Sequence, residues 1–366
     1  MDHRGPLMEQ MRLLTYAERM YAHCARGGLI GRHWDTQARQ MLQRLRTHPN
    51  ASPFSSELFL FDHFGGGAMR PDRSLLRKSL AARIRRRLRT VARQALGYGR
   101  IGDAAVALTS DSEALENAIA YGAFSYENAV RTGYELLHKE VEALDVRSPE
   151  IFGDQRVNVE GRALAWLTLI SLNRALLLRK AIGNLGVVLE IGAGTGELAR
   201  VLLTSGIAAS YVIVDIPPAL AVAQEVLLST FPPDELSLFD GARTSLPDPR
   251  HVRCSFLTPD QVNLVARADV GINIASFGEM TPDLVLSYIA DVKRLGVGHF
   301  VSVNTRKPHP VDRSASLGEA FYVRSFAPEY SVTERMASTK ALQVELRPHD
   351  EGYAGYQWLH FIRSAS

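Results

Sequence analysis

The sequence has little cysteine and no long apolar run. Its 366 residues contain two cysteines, Cys24 and Cys254, which stand far apart and form no C-x-x-C pair. A disulfide framework and a structural zinc site are therefore not expected. We expect two free, buried thiols, which suit a reducing cytosol and a cytoplasmic protein. No stretch reaches the ~18 consecutive apolar residues of a membrane-spanning helix, and the N-terminus lacks a signal-peptide pattern.

Charge of one sign is not in large excess either. The formal net charge of +3 is too small by itself to indicate nucleic-acid binding. Hydrophobic residues make up 46% and charged residues 22% of the chain, as in ordinary globular proteins. The length provides material for roughly two to three domains with a large core.

Basic residues are nevertheless concentrated in one N-terminal segment. Nine Lys and Arg residues fall within 73–93, where apolar residues recur at spacings of three and four. This periodicity predicts an amphipathic helix whose basic face is solvated or binds an anionic acceptor, a membrane surface or RNA. Helical periodicity extends over most of 1–150, so we expect a helical N-terminal domain.

From residue 185 onward, strands alternate with helices. The predicted strands are 187–191, 210–216, 251–256, 268–275, 298–304, 340–348 and 356–363. One predicted helix has Thr281 as N-cap, Pro282 at its first position and Gly296 just past its end. This pattern is typical of a mostly parallel sheet with helices on both faces, and the two late strands indicate an antiparallel edge. We predict an α/β, Rossmann-like domain over 151–366 with a seven-stranded sheet.

A glycine-rich turn follows the first of these strands. It consists of Gly192, Ala193, Gly194, Thr195 and Gly196. Glycine has no Cβ, so the backbone can turn tightly and approach a ligand closely. The next strand runs to Asp215 and Ile216, and Asp215 comes nineteen residues after Gly196. An acid at this tip commonly accepts hydrogen bonds from ribose hydroxyls, so the turn, Asp215 and Ile216 indicate a nucleoside-containing cofactor.

Two cofactors compete for this pattern, a dinucleotide and S-adenosylmethionine. The dinucleotide fingerprint is G-x-G-x-x-G, whereas here the third glycine comes one position early and Glu197 follows it. A glutamate there would lie close to a pyrophosphate, which is unfavourable for two negative charges. S-adenosylmethionine has no phosphate, and Glu190 beside the turn can hold its positive amino group. These residues favour S-adenosylmethionine.

Two sets of motifs resemble known enzymes. The spacing E-x-G-x-G-x-G, followed by a strand that ends in Val-Asp, resembles the first two motifs of class I S-adenosylmethionine-dependent methyltransferases. Within 161–303, two further segments are similar to the sugar O-methyltransferase family. They are Asp215-Ile216-Pro217 and Ser276-Phe277-Gly278-Glu279-Met280. The resemblance implies the class I methyltransferase fold, S-adenosylmethionine as methyl donor and a sugar hydroxyl as acceptor.

The end of the strand 268–275 is where an acceptor would meet the transferred methyl group. We assign Asn273 to the cofactor site and Ser276 to the substrate site. A hydroxyl must lose its proton as it attacks, so a general base is required unless a metal acidifies the hydroxyl. Glu279 is the first candidate for the base and His309 the second. Both also have ordinary explanations, Glu279 as a helix cap or solvent-facing side chain and His309 as a solvated loop residue.

Several further residues complete the candidate site. Asp312 could orient the nearby histidine or join other carboxylates around a divalent metal such as Mg²⁺, although nothing in the spacing indicates a metal. Phe256 and Leu257 end the strand whose tip commonly contacts adenine, but core packing explains them nearly as well. The loop 306–328 is a candidate lid over the acceptor, and Tyr322 within it is a candidate substrate contact.

Three acceptors stay open at this point. The leading hypothesis is a hydroxyl of a small sugar or glycoconjugate, including an oligosaccharide precursor of a polysaccharide, with no nucleic-acid or membrane partner. The second is a phenolic or polyketide natural product, and the third is RNA bound by the basic segment 73–93. By analogy with small-molecule methyltransferases, we expect the domain 1–150 to cover the substrate pocket or to form a homodimer.

Overall fold

The computed structural model describes residues 6–26, 32–47, 126–217, 219–305, 317–337 and 356–364. The strands in these residues are β1 (Val157–Val159), β2 (Arg162–Leu164), β3 (Val187–Ile191), β4 (Ser210–Val214), β5 (Leu236–Ser237), β6 (Cys254–Leu257), β7 (Val270–Ile274), β8 (His299–Thr305), β9 (Tyr330–Ala337) and β10 (Tyr356–Arg363). Strands β1 and β2 form a separate antiparallel hairpin, and the others form one eight-stranded sheet.

The order of strands across the sheet is β5-β6-β4-β3-β7-β8-β10-β9. Neighbours from β5 through β8 are parallel, whereas β10 is antiparallel to both β8 and β9. The chain moves outward from β3 on one side and returns to β7 on the other. The strand order therefore reverses between β3 and β7, which is where open α/β sheets bind ligands, at the carboxyl ends of the strands.

Helices cover both faces of this sheet. They are α1 (Pro6–Arg26), α2 (Arg32–Thr47), α3 (Tyr126–Ala143), α4 (Trp166–Ile182), α5 (Glu197–Thr204), α6 (Ala219–Leu228), α7 (Pro282–Leu295) and α8 (Glu319–Phe326). Strands β3, β4, β6 and β7 are buried at every position, as expected of parallel strands covered on both faces. The predicted Rossmann-like α/β fold, with a mostly parallel sheet and helices on both faces, is confirmed.

The N-terminal helices share a hydrophobic core with one face of the sheet. Helix α1 packs on α6, and α3 packs on α4. Leu13 and Met20 of α1 belong to the same buried cluster as Val222 of α6 and Ile213 of β4. A second cluster on the opposite face joins α7 and α8 to the sheet. The division of the chain into two domains at residue 150 stays a prediction.

The sheet has eight strands, whereas seven were predicted, and it differs from the prediction at its edges. Strand β9 was not predicted, because an edge strand with two charged residues lacks the continuous apolar run of a buried strand. Strand β5 has two residues, too few to show a periodic pattern. The predicted strand 340–348 and the predicted basic helix within 73–93 lie outside the described residues.

Several local predictions are confirmed. Helix α7 has Thr281 as N-cap, Pro282 at its first position and Gly296 at its C-cap in the left-handed conformation. Cys24 and Cys254 are both free and buried. Among the helices that the structure describes, none is long and apolar enough to cross a membrane.

Candidate functional site

The glycine turn between β3 and α5 is tight. Gly192, Gly194 and Gly196 have φ angles of 76°, 59° and 72°, a conformation that side-chain-bearing residues rarely adopt. At Gly192, a Cβ would collide with Ser276 Oγ. At Gly196, a Cβ would lie 2.9 Å from Ala223 Cβ on α6. The turn is thus held between the segment after β7 and helix α6, with no room for larger residues at these two positions.

Asp215 follows β4 and lies beside this turn. Its carboxylate accepts hydrogen bonds from the backbone N–H groups of Gly194 and Ile216, both at 2.7 Å. Burial raises the pKa of Asp215 to about 7, and the backbone hydrogen bonds oppose this rise. An ionised carboxylate offers about four acceptor sites, so Asp215 keeps capacity for the two hydroxyls of a ribose.

Two further carboxyl groups interact with the charge of Asp215. Partial desolvation and repulsion by Asp215 raise the pKa of Glu279 to about 7, although the residue is exposed at the surface of the cleft. Burial also raises the pKa of Glu190 to about 7, opposed by the Tyr211 hydroxyl and by Arg174. Of these three carboxyl groups, only Glu190 has its pKa lowered by a neighbouring cation, Arg174. The cleft is therefore acidic, which favours a cationic ligand.

Three predicted cofactor residues are enclosed by the protein. Glu190 in β3 is 2% exposed and accepts a hydrogen bond from the Tyr211 hydroxyl at 2.8 Å. Phe256 and Leu257 in β6 have no exposed surface and belong to the two hydrophobic clusters on opposite faces of the sheet. They occupy core positions, the alternative that the sequence left open. Contact of Glu190 with a ligand amino group stays a prediction.

A buried polar network holds the segment after β7. Asn273 donates hydrogen bonds to the carbonyl oxygen of Ile191 (2.7 Å) and to Ser276 Oγ (2.5 Å). Its own carbonyl oxygen accepts a hydrogen bond from Asn304, at the end of β8, at 2.8 Å. Asn304 in turn accepts one from the backbone N–H of Gly278 at 3.3 Å. Asn273 thus joins β3, β7 and β8, and its predicted contact with the cofactor stays a prediction.

The backbone of this segment is strained. Ala275 has φ 60°, a left-handed conformation that costs a residue other than glycine about 1–2 kcal/mol. The Glu279 N–H donates to the Ser276 carbonyl oxygen at 3.0 Å, within a short 3₁₀ turn over 277–279. Such strain persists where the surrounding structure over-determines the backbone, as it does at many functional sites. Ser276 and Glu279 therefore sit on a fixed turn next to Gly192.

Glu197 does not present its charge to the glycine turn. Its carboxylate accepts two hydrogen bonds from Arg200, at 2.6 and 2.7 Å, and one from the Thr168 hydroxyl at 2.6 Å. The expectation that Glu197 would repel a pyrophosphate is wrong, because Arg200 neutralises its charge. The electrostatic argument against a phosphate ligand depends instead on Asp215 and Glu279.

The predicted acceptor residues are only partly described. Tyr322 in α8 stacks on Phe277 with ring centroids 6.2 Å apart, and its buried hydroxyl has no hydrogen-bond partner among the described residues. Its contact with a substrate stays a prediction. Phe326 is also fully buried, so this part of the predicted lid 306–328 is core, and the prediction is wrong there. His309 and Asp312 lie outside the described residues.

No metal centre is found in the part of the chain that the structure describes. Groups of three or more His, Cys, Asp or Glu suited to a metal do not occur within it. Asp215 and Glu279 interact, but Asp312, the residue that a metal site would add, falls outside these ranges. The metal site considered in the sequence analysis therefore stays a hypothesis.

Three polar residues near the cleft were missed by the sequence analysis: Asn304, Asp260 and His23. Asp260, in the loop after β6, accepts a hydrogen bond from the Thr258 hydroxyl at 2.7 Å and pairs with His23 of α1 at 2.8 Å. His23 lies 237 residues from its partner in the chain, and Asn304 lies 31 from Asn273. Contacts over such separations leave no local pattern in a sequence.

Comparison with known proteins gives remote likenesses only. No family model matches the chain, and no curated protein matches it. The solved structure of magnesium protoporphyrin IX methyltransferase (ChlM) from Synechocystis PCC 6803, with bound S-adenosylhomocysteine (SAH), is 14% identical with a TM-score of 0.39. That likeness covers 64% of this chain and 98% of that chain.

Two further solved structures are similar to the chain at the same level. The pyocyanin biosynthetic protein PhzM is 14% identical with a TM-score of 0.36, and the likeness covers 52% of this chain and only 54% of that chain. The glycopeptide N-methyltransferase MtfA, complexed with S-adenosylmethionine, is 14% identical with a TM-score of 0.35, over 52% and 87%. Since these TM-scores are below 0.5, the fold assignment depends on the strand order described above.

Proposed function

We propose that the protein is an S-adenosylmethionine-dependent methyltransferase whose donor binds at the glycine turn between β3 and α5. The observation that carries this proposal is a tight glycine turn beside an acidic cleft, at the point where the strand order reverses. In this proposal, Asp215 accepts hydrogen bonds from the ribose hydroxyls. The carboxyl groups of Asp215 and Glu279 favour a positively charged sulfonium donor, whereas a pyrophosphate would meet like charges.

Glu279 is the proposed general base, with His309 as the second candidate. A carboxyl group with a pKa of about 7 is well matched to accepting a proton near neutral pH. In the proposed step, the acceptor hydroxyl oxygen attacks the methyl carbon and the bond from that carbon to sulfur breaks. Glu279 takes the hydroxyl proton, and the products are SAH and a methyl ether.

The proposed acceptor is a hydroxyl of a sugar or glycoconjugate. The segments 215–217 and 276–280, which resemble sugar O-methyltransferases, flank the same glycine turn. Ser276 and Glu279 provide polar groups there, as a polyhydroxylated acceptor requires. A flat phenolic or polyketide acceptor calls for an apolar lining, whereas Phe277, on the same turn as Ser276 and Glu279, is fully buried in the core.

Replacement of Glu279 by glutamine tests the assignment of the base. Transfer of labelled methyl from S-adenosylmethionine to panels of sugars, phenols and RNA first identifies the acceptor. The variant is expected to lose about 100-fold or more of kcat, because the amide cannot accept the proton, while SAH affinity is retained. Asp283→Asn, an exposed acid in the first turn of α7, is the matched control. Full turnover by the glutamine variant would remove Glu279 from this role.

The affinity for SAH is expected to depend on pH through Asp215. Ribose hydroxyls donate to the ionised carboxylate, whose pKa in the ligand-free protein is about 7. Affinity should therefore fall about tenfold between pH 8 and pH 6, with about half a proton released on binding at pH 7. The stability of the ligand-free protein depends on pH in the opposite direction. Burial favours the protonated carboxyl group of Asp215 in the folded state, so the stability that this group contributes is lost as pH rises through about 7.

Calorimetry in two buffers of different ionisation enthalpy measures the released protons. Glu190 and Glu279 titrate in the same range, since their pKa values are also raised to about 7, so comparison with Asp215→Asn isolates the contribution of Asp215. An affinity that rises as pH falls, or a slope unchanged in Asp215→Asn, would contradict the assignment.

A further inference from the structure

The C-terminal end of helix α1 lies beside the donor cleft. Helix α1 packs on α6, the helix that follows β4 and Asp215. Cys24, near the end of α1, is fully buried. Burial, together with the charges of Asp260 and Asp215, raises the pKa of the Cys24 thiol to about 12. The neighbouring His23 lies 2.8 Å from Asp260, so the N-terminal part of the chain reaches the loop at the carboxyl end of β6.

His23 connects α1 to two loops at this edge of the sheet. Its Nε2 lies 2.8 Å from Asp260 Oδ2, in the loop after β6. Its ring meets that of Phe239, in the loop after β5, edge-on with centroids 5.5 Å apart. The backbone of that loop passes so close that a Cβ at Gly241 would lie 2.9 Å from His23 Nδ1. One side chain of α1 thus contacts two loops that are distant from it in sequence.

The partners of His23 are themselves held in place. The Thr258 hydroxyl donates to the other oxygen of Asp260 at 2.7 Å. Gln261 donates from its side chain to the carbonyl oxygen of Asp240 at 2.7 Å, which joins the loop after β6 to the loop after β5. An isolated surface ion pair contributes little to stability. The His23–Asp260 pair instead belongs to a connected set of hydrogen bonds between two loops. These loops lie at the strand ends where the nucleoside would bind.

We propose that His23 is a positioning residue for the methyl donor: by fastening α1 to Asp260, it closes the nucleoside edge of the cleft. The proposal rests on the proposed function. Coupling between two events is reciprocal, so docking of α1 strengthens donor binding and donor binding holds α1 in place. The N-terminal helix is then a wall of the donor site.

Substitution of His23 in the full-length protein tests this coupling. We expect His23→Ala to weaken SAH binding about tenfold, and His23→Gln, which can still donate to Asp260, to lose less than about threefold. His138→Ala is the matched control, because His138 is exposed on α3 and its ring hydrogen-bonds to the carbonyl oxygen of Glu135 on the same helix. Its affinity for SAH should equal that of the wild type.

Hydrogen exchange of α1 supplies a readout that a purely structural role would not move. SAH should slow exchange over 6–26 in the wild type and in His138→Ala, but not in His23→Ala. If the alanine variant does not fold, the glutamine variant and Asp260→Asn decide the question by the same two measurements. The inference would be overturned if the wild type binds SAH without protection of α1 and His23→Ala binds SAH with the same affinity. That result would leave the proposed function standing. Absence of SAH binding to the wild type would overturn the proposed function itself.

Discussion

Replacement of Asp215 by alanine is expected to weaken SAH binding by about 100-fold or more, because two hydrogen bonds from ribose hydroxyls to a charged group are lost. The carboxylate also accepts hydrogen bonds from the backbone N–H groups of Gly194, in the glycine turn, and of Ile216, the next residue in the chain. The loss should therefore appear in the dissociation constant and in the ligand-induced shift of the melting temperature together.

Two controls separate binding from folding. Asp215→Asn preserves the shape of the side chain and one acceptor oxygen, so it should bind SAH more tightly than Asp215→Ala. Asp234→Ala removes an exposed acid from the turn 233–235 and should leave affinity unchanged. A folded Asp215→Ala protein with affinity within about threefold of the wild type would mean that Asp215 does not hold the ribose.

Replacement of Arg200 by alanine is expected to lower the free energy of unfolding by about 3–5 kcal/mol, because Glu197 would be left buried and unpaired. The two side chains are 5% and 1% exposed. Arg200 also donates to the carbonyl oxygen of Arg147 at 2.9 Å, and Glu197 accepts from Thr168 of α4. The pair thus joins α5, which follows the glycine turn, to α4 and the end of the N-terminal region.

Urea unfolding of three variants measures this effect. The double variant Glu197→Leu/Arg200→Leu removes both charges and should recover much of the stability that Arg200→Ala loses, since well-packed apolar replacements can match a buried ion pair. Arg131→Ala breaks an exposed pair with Glu127 on α3 and should change stability by less than about 1 kcal/mol. If Arg200→Ala lowers the free energy of unfolding no more than Arg131→Ala does, the buried pair does not stabilise the fold as described.

The sheet could be predicted where its strands are buried and parallel. Strands such as 187–191 and 270–274 are covered on both faces, so their sequences are short apolar runs bounded by turn residues. The edge strand 330–337 has one neighbour and a mixed sequence, and it gave no such signal. The hairpin of 157–159 with 162–164 has only three residues in each strand, too few to show a periodic pattern.

The donor side of the site could be predicted because its residues lie close together in the chain. The glycine turn and Asp215 belong to one strand–helix–strand unit, so their spacing in the sequence indicates that they lie side by side in the fold. Side-chain direction and charge compensation could not be predicted in the same way. Glu197 turns to Arg200 and Thr168, and His23 meets Asp260 only after the whole sheet has formed. These contacts depend on packing between distant segments.

Calorimetric titration of the full-length protein at pH 8 with SAH and, separately, with NAD tests the donor assignment most directly. SAH should bind one per chain, with the affinity lost in Asp215→Ala, and NAD should give no binding heat. Binding of NAD at the same site, or no binding of SAH by the folded protein, would contradict it.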